Sequence, residues 1–237
     1  MDDRTTQAQN DPKRTAALKA VEYIRDGMTI ALGTGSTAYW AIQGIAEKVK
    51  QGYKLRAIAS SKASEQLARE SGIELIEAGN IKQMDIGIDG ADEVDPQGYL
   101  IKGGGGALVR EKILASNCSQ FIVIVDESKQ VKELGKFPVP VEIIPFAYQF
   151  VIERLRALGC EPTIRKKENH IYITDNGNYI ADCAFNAIPD PGKLTIELNT
   201  IPGVVDNGIF DKGIVKRVIT GFKNGEVREL RLKDGKD

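Results

Sequence analysis

Short runs of aliphatic and β-branched residues alternate, over the first half of the chain, with segments whose apolar residues recur every three or four positions. The continuous runs predict strands buried on both faces, and the periodic segments predict helices. Helices are predicted from Pro12 to near Gly27, around Trp40 to Val49, and over residues 63–70. The predicted strands, taken as members of one parallel sheet, are residues 28–32, 55–59, 84–88, 100–101 and 121–125. This alternation is typical of an α/β, Rossmann-like parallel sheet with helices on both faces.

The pattern changes at Phe137, where three prolines within nine residues interrupt it. A βαββαβ-like series follows, with helices predicted at 146–158 and 193–198 and strands at 139–144, 163–165, 170–174, 179–183 and 204–210. The turn sequence at 175–178 predicts a hairpin between two of these strands. Such a series indicates a smaller α+β, ferredoxin-like lid domain. The predicted domains are a disordered tail (1–14), a catalytic domain (15–136 and 211–237) and the lid (137–210).

Composition limits the chemistry available. The 32 basic and 33 acidic side chains give a formal net charge of -1, so no general attraction to nucleic acid or to an anionic membrane is expected. The single histidine disfavours histidine-based triads and multi-histidine metal sites, which leaves carboxylates and lysines to move protons. Three irregularly spaced cysteines suggest neither a disulfide framework nor a zinc cluster. No signal sequence or membrane-spanning run is recognised, and a cytoplasmic location is expected.

Two glycine-rich loops are predicted to follow strands. Gly33-Thr34-Gly35-Ser36-Thr37-Ala38 fits the dinucleotide pattern G-x-G-x-x-G/A, which alone is a weak signal. The next strand ends in Ser60-Ser61-Lys62 rather than in an acidic residue, so NAD is disfavoured and a phosphate monoester fits better. Four glycines in a row, Gly103 to Gly106, predict a second loop that brings backbone amides to a ligand. Each loop precedes a helix, and either could hold an anion.

Carboxylates and a lysine accompany the second loop. Asp89-Gly90-Ala91-Asp92-Glu93 is either a solvated acidic turn or part of a site, and its first aspartate ends a buried strand. Its spacing does not fit an EF-hand calcium loop. Lys102 stands at the mouth of the glycine loop, and Glu111 is expected about two turns into the helix that follows.

Several of these motifs together resemble ribose-5-phosphate isomerase type A. The resemblance runs from about residue 15 to the C-terminus and rests on the stretches 33–37, 85–93, 100–112, 126–129, 135–138, 174–178 and 201–205. One departure is the fourth glycine, Gly106, where alanine is common in the family. Another is the polar N-terminal tail. Neither falls on a residue to which a role is assigned.

The resemblance implies interconversion of D-ribose 5-phosphate and D-ribulose 5-phosphate through an enediolate, with no redox cofactor and no metal. It implies catalytic roles for Glu111 as the base and for Asp89, Asp92 and Lys102. The implied substrate contacts are Thr34, Gly35, Ser36, Thr37, Asp89, Gly90, Ala91, Asp92, Lys102, Gly103, Gly104, Gly105 and Lys129. A homodimer or homotetramer is expected. Two alternatives are a non-catalytic sugar-phosphate sensor domain and an NADP-dependent oxidoreductase.

Overall fold

The computed structural model describes residues 11–232. Its α-helices are α1 (Pro12–Val21), α2 (Ser36–Lys50), α3 (Lys62–Glu70), α4 (Leu108–Ser116), α5 (Tyr148–Ala157) and α6 (Pro191–Asn199). Short 3-10 helices lie at Ala78–Asn80, Glu127–Lys129 and Pro145–Ala147. The strands are β1 (Thr29–Leu32), β2 (Arg56–Ala59), β3 (Glu74–Leu75), β4 (Met84–Asp89), β5 (Glu93–Val94), β6 (Leu100–Ile101), β7 (Cys118–Asp126), β8 (Val139–Ile143), β9 (Glu161–Ile164), β10 (Lys166–Lys167), β11 (His170–Ile171), β12 (Tyr179–Ala184), β13 (Val204–Asn207), β14 (Ile209–Phe210), β15 (Arg217–Gly221) and β16 (Val227–Arg231).

The described residues form two compact units. The first contains residues 11–91, 110–130 and 213–232, and the second contains residues 92–109 and 131–212. This grouping differs from the predicted domain boundaries, since residues 92–109, 131–136 and 211–212 cluster with the second unit. The function of the second unit as a lid stays a prediction.

The first unit is built on a seven-stranded sheet in the order β16-β15-β7-β4-β1-β2-β3. Every neighbouring pair is parallel except β15 and β16, which form an antiparallel hairpin around Asn224-Gly225. The chain builds outward from β1 to β2 and β3, and then returns to place β4 on the other side of β1. The sheet therefore has its topological switch point between β1 and β4, where open parallel sheets bind ligands.

Helices cover both faces of this sheet, as predicted. Ile30 of β1 packs in a core cluster with Ala41 and Ile45 of α2. Ala31 packs in a separate cluster that includes Leu114 of α4. Because successive residues of a strand point to opposite faces, these two clusters lie on opposite sides of the sheet. The Rossmann-like α/β prediction is confirmed for this unit.

The second unit contains a four-stranded antiparallel sheet in the order β13-β8-β12-β9. Its elements follow one another as β8-α5-β9-β12-α6-β13, with the short pair β10 and β11 inserted after β9. Val141 and Ile143 of β8, Leu155 of α5 and Leu198 of α6 share its core. This order and connectivity are those of a ferredoxin-like α+β fold, which confirms the predicted class.

One predicted strand lies in a different sheet. Leu100–Ile101 was expected in the parallel sheet, and this prediction is wrong, because β6 pairs antiparallel with β5 and β14. Two residues are too few to show a period, so their pairing partners are not encoded locally. The predicted strand 204–210 is likewise split into β13 and β14, which belong to separate sheets.

The predicted hairpin across residues 175–178 is also wrong in its pairing. A tight turn forms, with the Thr174 amide donating to Asn178 O at 2.9 Å. However, β11 pairs with β10, whereas β12 pairs with β8 and β9. The turn residues fix the local reversal, but the partners of β12 are fixed by burial of its apolar side chains in the second core.

The N-terminal predictions need two corrections. Of the predicted disordered tail, residues 1–10 lie outside the described residues, whereas 12–14 are helical, which confirms the competing prediction of a helix that starts at Pro12. Asp11 caps α1 by accepting from the Lys13 amide at 2.9 Å. The helix ends at Val21 rather than near Gly27. After Val21 the chain tightens into hydrogen bonds between residues three positions apart, such as the one from the Ile24 amide to Val21 O. Within residues 11–232, a membrane-crossing helix of sufficient length and apolarity does not occur.

Candidate active site

The first glycine loop connects β1 to α2. Gly35 precedes the helix with φ of +99°, a conformation that glycine adopts without strain, and it provides no side-chain cap. Gly35 and Ser36 are exposed, and Thr34 and Thr37 are half-buried. The first amides of α2 and the positive end of its dipole thus stand at the sheet's switch point beside two hydroxyl side chains. This is the arrangement that binds a phosphate at a helix N-terminus.

Asp89 lies directly beside this loop. It is the last residue of β4 and only 2% exposed. Its Oδ1 accepts hydrogen bonds from the amide of Thr34 at 3.0 Å and from that of Gly90 at 2.7 Å. A Cβ on Gly33 would lie 2.0 Å from the same oxygen, so only glycine permits this approach. The sequence predicted both the loop and the aspartate, and the structure brings them into contact.

A cluster of hydroxyl groups anchors Thr34. Its Oγ1 lies 2.7 Å from Ser60 Oγ, 2.8 Å from Ser61 Oγ and 3.2 Å from Ser64 Oγ. Ser64 Oγ also donates to Gly33 O at 2.7 Å, and Ser61 caps α3. In the sequence, Ser60 and Ser61 gave evidence only against NAD. Their position after β2, the neighbour of β1, was the signal that places them at this loop.

Glu111 belongs to the first turn of α4, not to its middle. The helix begins at Leu108, later than the glycine run suggested, so the expectation of two turns was wrong. Glu111 is 4% exposed, and it lines a small cavity together with Asp89, Gly33 and Ser60. An exposed charge in a helix is ordinary, whereas a carboxylate buried at the same cavity as a second buried carboxylate is not.

Two lysines of the first unit stand at the same edge of the sheet. Lys13 Nζ donates to Ser36 Oγ at 3.0 Å, a contact that was not predicted because residue 13 was assigned to the N-terminal tail. Lys129 is half-buried in the 3-10 helix that follows β7, the strand next to β4. Gly90 is also placed here, since a Cβ on it would lie 3.7 Å from Thr37 Cβ. Ala91 is half-buried and is the last residue before the chain enters the second unit.

Asp92 and the second glycine loop come together within the second unit. Asp92 Oδ2 accepts from the Gly104 amide at 2.8 Å, and a Cβ on Gly104 would lie 2.7 Å from Asp92 Oδ1. Gly103 has φ of +103° and closes a turn by accepting the Gly106 amide at 2.9 Å. Gly104 and Gly105 are exposed, as a ligand-cradling loop requires.

Lys102 is buried at the start of this loop, with 2% of its surface exposed. Its amide donates to Gly208 O at 2.8 Å, and its Nζ lies 5.4 Å from the centroid of the Phe210 ring. Gly208 is required there, since a Cβ would approach Lys102 O to 2.3 Å. The three-stranded sheet of β5, β6 and β14 therefore fixes the lysine's backbone.

The fourth glycine has a structural reason. Gly106 has φ of +82°, and a Cβ on it would lie 2.3 Å from the hydroxyl of Tyr172. Burial raises the pKa of Tyr172, and the charge of Asp175 acts in the same direction, so the phenol is neutral at physiological pH. In residues 11–232 no group of three or more His, Cys, Asp or Glu side chains is arranged to hold a metal ion.

Each unit, taken by itself, gathers a set of polar and charged groups. The first brings together an uncapped helix N-terminus, hydroxyls, lysines and two buried carboxylates. The second brings together a buried lysine, exposed glycine amides and Asp92. Buried carboxylates such as those of the first unit can transfer protons, and cations and amides such as those found in each unit can stabilise negative charge.

Comparison with known proteins agrees with this chemistry. A family model described as ribose 5-phosphate isomerase A (phosphoriboisomerase A) matches residues 56–225. The ribose-5-phosphate isomerase A of Picrophilus torridus is 50% identical over 224 residues, which cover 94% of this chain and 98% of that protein.

Solved structures show the same similarity. Ribose 5-phosphate isomerase A from Methanocaldococcus jannaschii superposes with a TM-score of 0.88 at 44% identity, covering 92% of this chain and 97% of that one. A D-ribose-5-phosphate isomerase in complex with phospho-erythronic acid gives a TM-score of 0.89 at 43% identity, with the same coverage of 92% and 97%.

Proposed function

The chain belongs to the ribose 5-phosphate isomerase A family, and we propose that Glu111 is the base with which it interconverts ribose 5-phosphate and ribulose 5-phosphate. The observation that carries this assignment is the small cavity of the first unit that Glu111 shares with Asp89, Gly33 and Ser60. A buried carboxylate beside the sheet's switch point is placed to meet a substrate there.

The reaction needs one base that acts twice. In the open-chain aldose, Glu111 takes the proton from C2, and the electrons of that C–H bond form the C1–C2 double bond of an enediolate. As that double bond forms, the π electrons of the C1 carbonyl move onto O1. Returning the carbon-bound proton to C1, with transfer of the hydroxyl proton from O2 to O1, gives the ketose, so atoms and electrons balance without an oxidant or reductant. A single carboxylate within reach of both carbons is sufficient, and no redox cofactor or metal is part of the proposal.

Lys102 and the amides of the second glycine loop stabilise the enediolate oxygen. Burial of Lys102 strengthens its interaction with a negative charge, because little water screens it. The amides of Gly103 and Gly105 supply donors that are already oriented, whereas the Gly104 amide donates to Asp92. These groups act most strongly when the oxygen becomes charged, which is the requirement for accelerating the reaction rather than only binding substrate.

The substrate phosphate binds at the first glycine loop. The α2 amides at Gly35, Ser36 and Thr37 and the cations Lys13 and Lys129 favour a dianion there. The complex of a similar isomerase with phospho-erythronic acid supports a sugar phosphate as the ligand of this family. Placing the phosphate here leaves the second glycine loop for the enediolate.

The aspartates act on the sugar hydroxyls. Asp89 is held by the amides of Thr34 and Gly90, and Asp92 by the amide of Gly104. Carboxylates oriented in this way accept hydrogen bonds from hydroxyls and assist proton transfer when the furanose ring opens. Gly90 and Ala91, which lie between these two aspartates in the sequence, also contact the substrate.

The assembly and location complete the proposal. We propose a cytoplasmic homodimer or homotetramer, as the resemblance to the family implies, with no nucleic-acid or membrane partner. The formal net charge of -1 supports the last point, because it gives no general attraction to either. Light scattering during size-exclusion chromatography tests the assembly, and a monomer at working concentrations would contradict it.

The two alternative functions are not favoured. A sensor domain does not require a buried glutamate at the cavity, and the relatives are isomerases over almost the whole chain. An NADP-dependent oxidoreductase is opposed by the end of β2, where Ser60 and Ser61 hydrogen-bond to Thr34 instead of to a ribose.

Glu111→Gln tests the base assignment. The amide keeps the shape of the side chain but cannot accept the proton, so kcat should fall by about 10²- to 10⁴-fold. Binding of phospho-erythronate, measured by calorimetry, should stay close to that of the unmodified enzyme. Glu153→Gln, at an exposed position of α5, is the control and should keep full turnover. A Glu111→Gln enzyme that keeps more than about one tenth of the turnover contradicts the assignment, because losing a general base costs at least about 10²-fold.

A further inference from the structure

Arg165 connects the ferredoxin-like sheet to the second glycine loop. It directly follows β9, and its guanidinium forms a two-point ion pair with Asp182 of the neighbouring strand β12. The Nε–Oδ2 distance is 2.9 Å, and the side chains are only 14% and 26% exposed. A bidentate pair between adjacent strands fixes the plane of the guanidinium.

The remaining guanidinium nitrogen is directed at the loop. Arg165 Nη1 donates to Gly103 O at 2.7 Å and to Gly104 O at 3.2 Å. The carbonyls of both Gly103 and Gly104 therefore accept hydrogen bonds from Arg165. Gly103 O also accepts a hydrogen bond from the Gly106 amide. None of these contacts involves a group to which the proposed reaction assigns proton transfer.

This contact controls which peptide groups face the ligand. Glycine occupies positive and negative φ with similar ease, so a peptide between two glycines turns over at low cost. A reversed Gly103-Gly104 or Gly104-Gly105 peptide would present a carbonyl oxygen to an anion and withdraw an amide. Within residues 11–232 the exposed Gly105 amide donates no hydrogen bond, which leaves it available to a ligand.

We propose that Arg165, held by Asp182, is a positioning residue that keeps the Gly103 and Gly104 carbonyls turned away from the substrate. The loop amides then remain aimed at the negative charge that develops during isomerisation. This inference rests on the proposed role of the loop, and it adds a residue pair that never touches the substrate.

The first test is Arg165→Ala, with Arg217→Ala as a matched control. Arg217 also pairs with a carboxylate on an adjacent strand, Glu229, and the two side chains are similarly buried at 19% and 21% exposure. We expect kcat of Arg165→Ala to fall about 10²-fold, the usual effect of losing one oriented donor, with a much smaller change in KM. Arg217→Ala should keep its kcat.

Two readouts separate positioning from simple loss of structure. Added guanidinium ion should restore part of the kcat of Arg165→Ala and leave Arg217→Ala unaffected. Phospho-erythronate, whose carboxylate resembles the planar charged end of an enediolate, should bind Arg165→Ala at least about 10-fold more weakly, since it uses the same amides. Because this binding does not require proton transfer, it reports on Arg165 even if Glu111 is not the base.

Arg165→Lys and Asp182→Asn keep the inference testable if Arg165→Ala does not fold. Lysine cannot contact Asp182 and both glycine carbonyls in one plane, so kcat should fall while the melting temperature stays near that of the unmodified enzyme. Asp182→Asn should lower kcat in the same direction. The inference is overturned if these folded variants keep kcat and phospho-erythronate affinity within about twofold, well below the cost of a lost donor. Suppose that these variants keep their kcat and affinity while Glu111→Gln is inactive in the same experiment. The role of Arg165 is then overturned, and the assignment of Glu111 as the base stands.

Discussion

Gly33 and Asp89 occupy adjoining space so closely that a single methyl group on residue 33 would come within 2.0 Å of Asp89 Oδ1. The two residues are 56 positions apart and meet because β1 and β4 are neighbours at the switch point of the sheet. Their contact links the predicted phosphate loop to a predicted catalytic carboxylate. It also makes residue 33 a sensitive position for testing the site.

Gly33→Ala should impair both folding and turnover. Asp89 is almost fully buried and accepts two backbone amides, so it cannot move aside without breaking them. We expect a loss of about 1–3 kcal/mol in the free energy of unfolding, typical of overpacking a buried site. Denaturant titration and steady-state kinetics measure the two effects. Gly79→Ala is the control, since a Cβ there meets nothing within 4 Å. Equal stability and kcat for Gly33→Ala and Gly79→Ala would refute the prediction.

Lys102→Ala should lower kcat more than it raises KM. If Lys102 stabilises charge that develops only in the transition state, its loss costs roughly 3 to 4 kcal/mol of transition-state stabilisation. Steady-state kinetics with ribose 5-phosphate separate the two constants, and thermal unfolding checks that the buried site still folds. A change confined to KM would show instead that Lys102 only anchors the substrate.

Exhaustive chelation should leave the turnover unchanged. In the proposed reaction the charge on the enediolate is stabilised by Lys102 and loop amides, and the proton is moved by Glu111, so no divalent ion has a task to perform. The measurement is kcat before and after treatment with a chelator followed by gel filtration. Activity that disappears and returns on adding magnesium or zinc would contradict the metal-free mechanism.

Sequence patterns predicted the structure correctly where neighbouring residues alone determine it. The four-residue run of β1 and the five-residue run at 121–125 are continuous and apolar, and both form buried central strands. Sequence patterns gave the wrong strand pairing for Leu100–Ile101 and for the turn at 175–178, because two residues or one turn cannot specify a distant partner strand. Long-range pairing is selected by the burial of whole faces, which is visible only after the chain has folded.

The residues of the candidate site also fall into those that the sequence indicated and those that it did not. The glycines, Asp89, Asp92 and Lys102 could be selected from the sequence because serial glycines and a carboxylate ending a buried strand are unusual. Ser64, Lys13 and Arg165 carried no such signal, since serines, lysines and arginines are common on surfaces. They became identifiable only through what their side chains contact.

The sequence by itself determined the fold class, the two glycine-rich loops and the family to which the chain belongs, because these depend on residue spacing and on rare local motifs. Only the tertiary structure decided that Glu111 is buried at the cavity of Asp89, that the hydroxyls of Ser60, Ser61 and Ser64 contact Thr34, and that Arg165 donates hydrogen bonds to the Gly103 and Gly104 carbonyls. Those relationships join residues up to 62 positions apart, and they arise from the order of strands in the sheets rather than from any local preference.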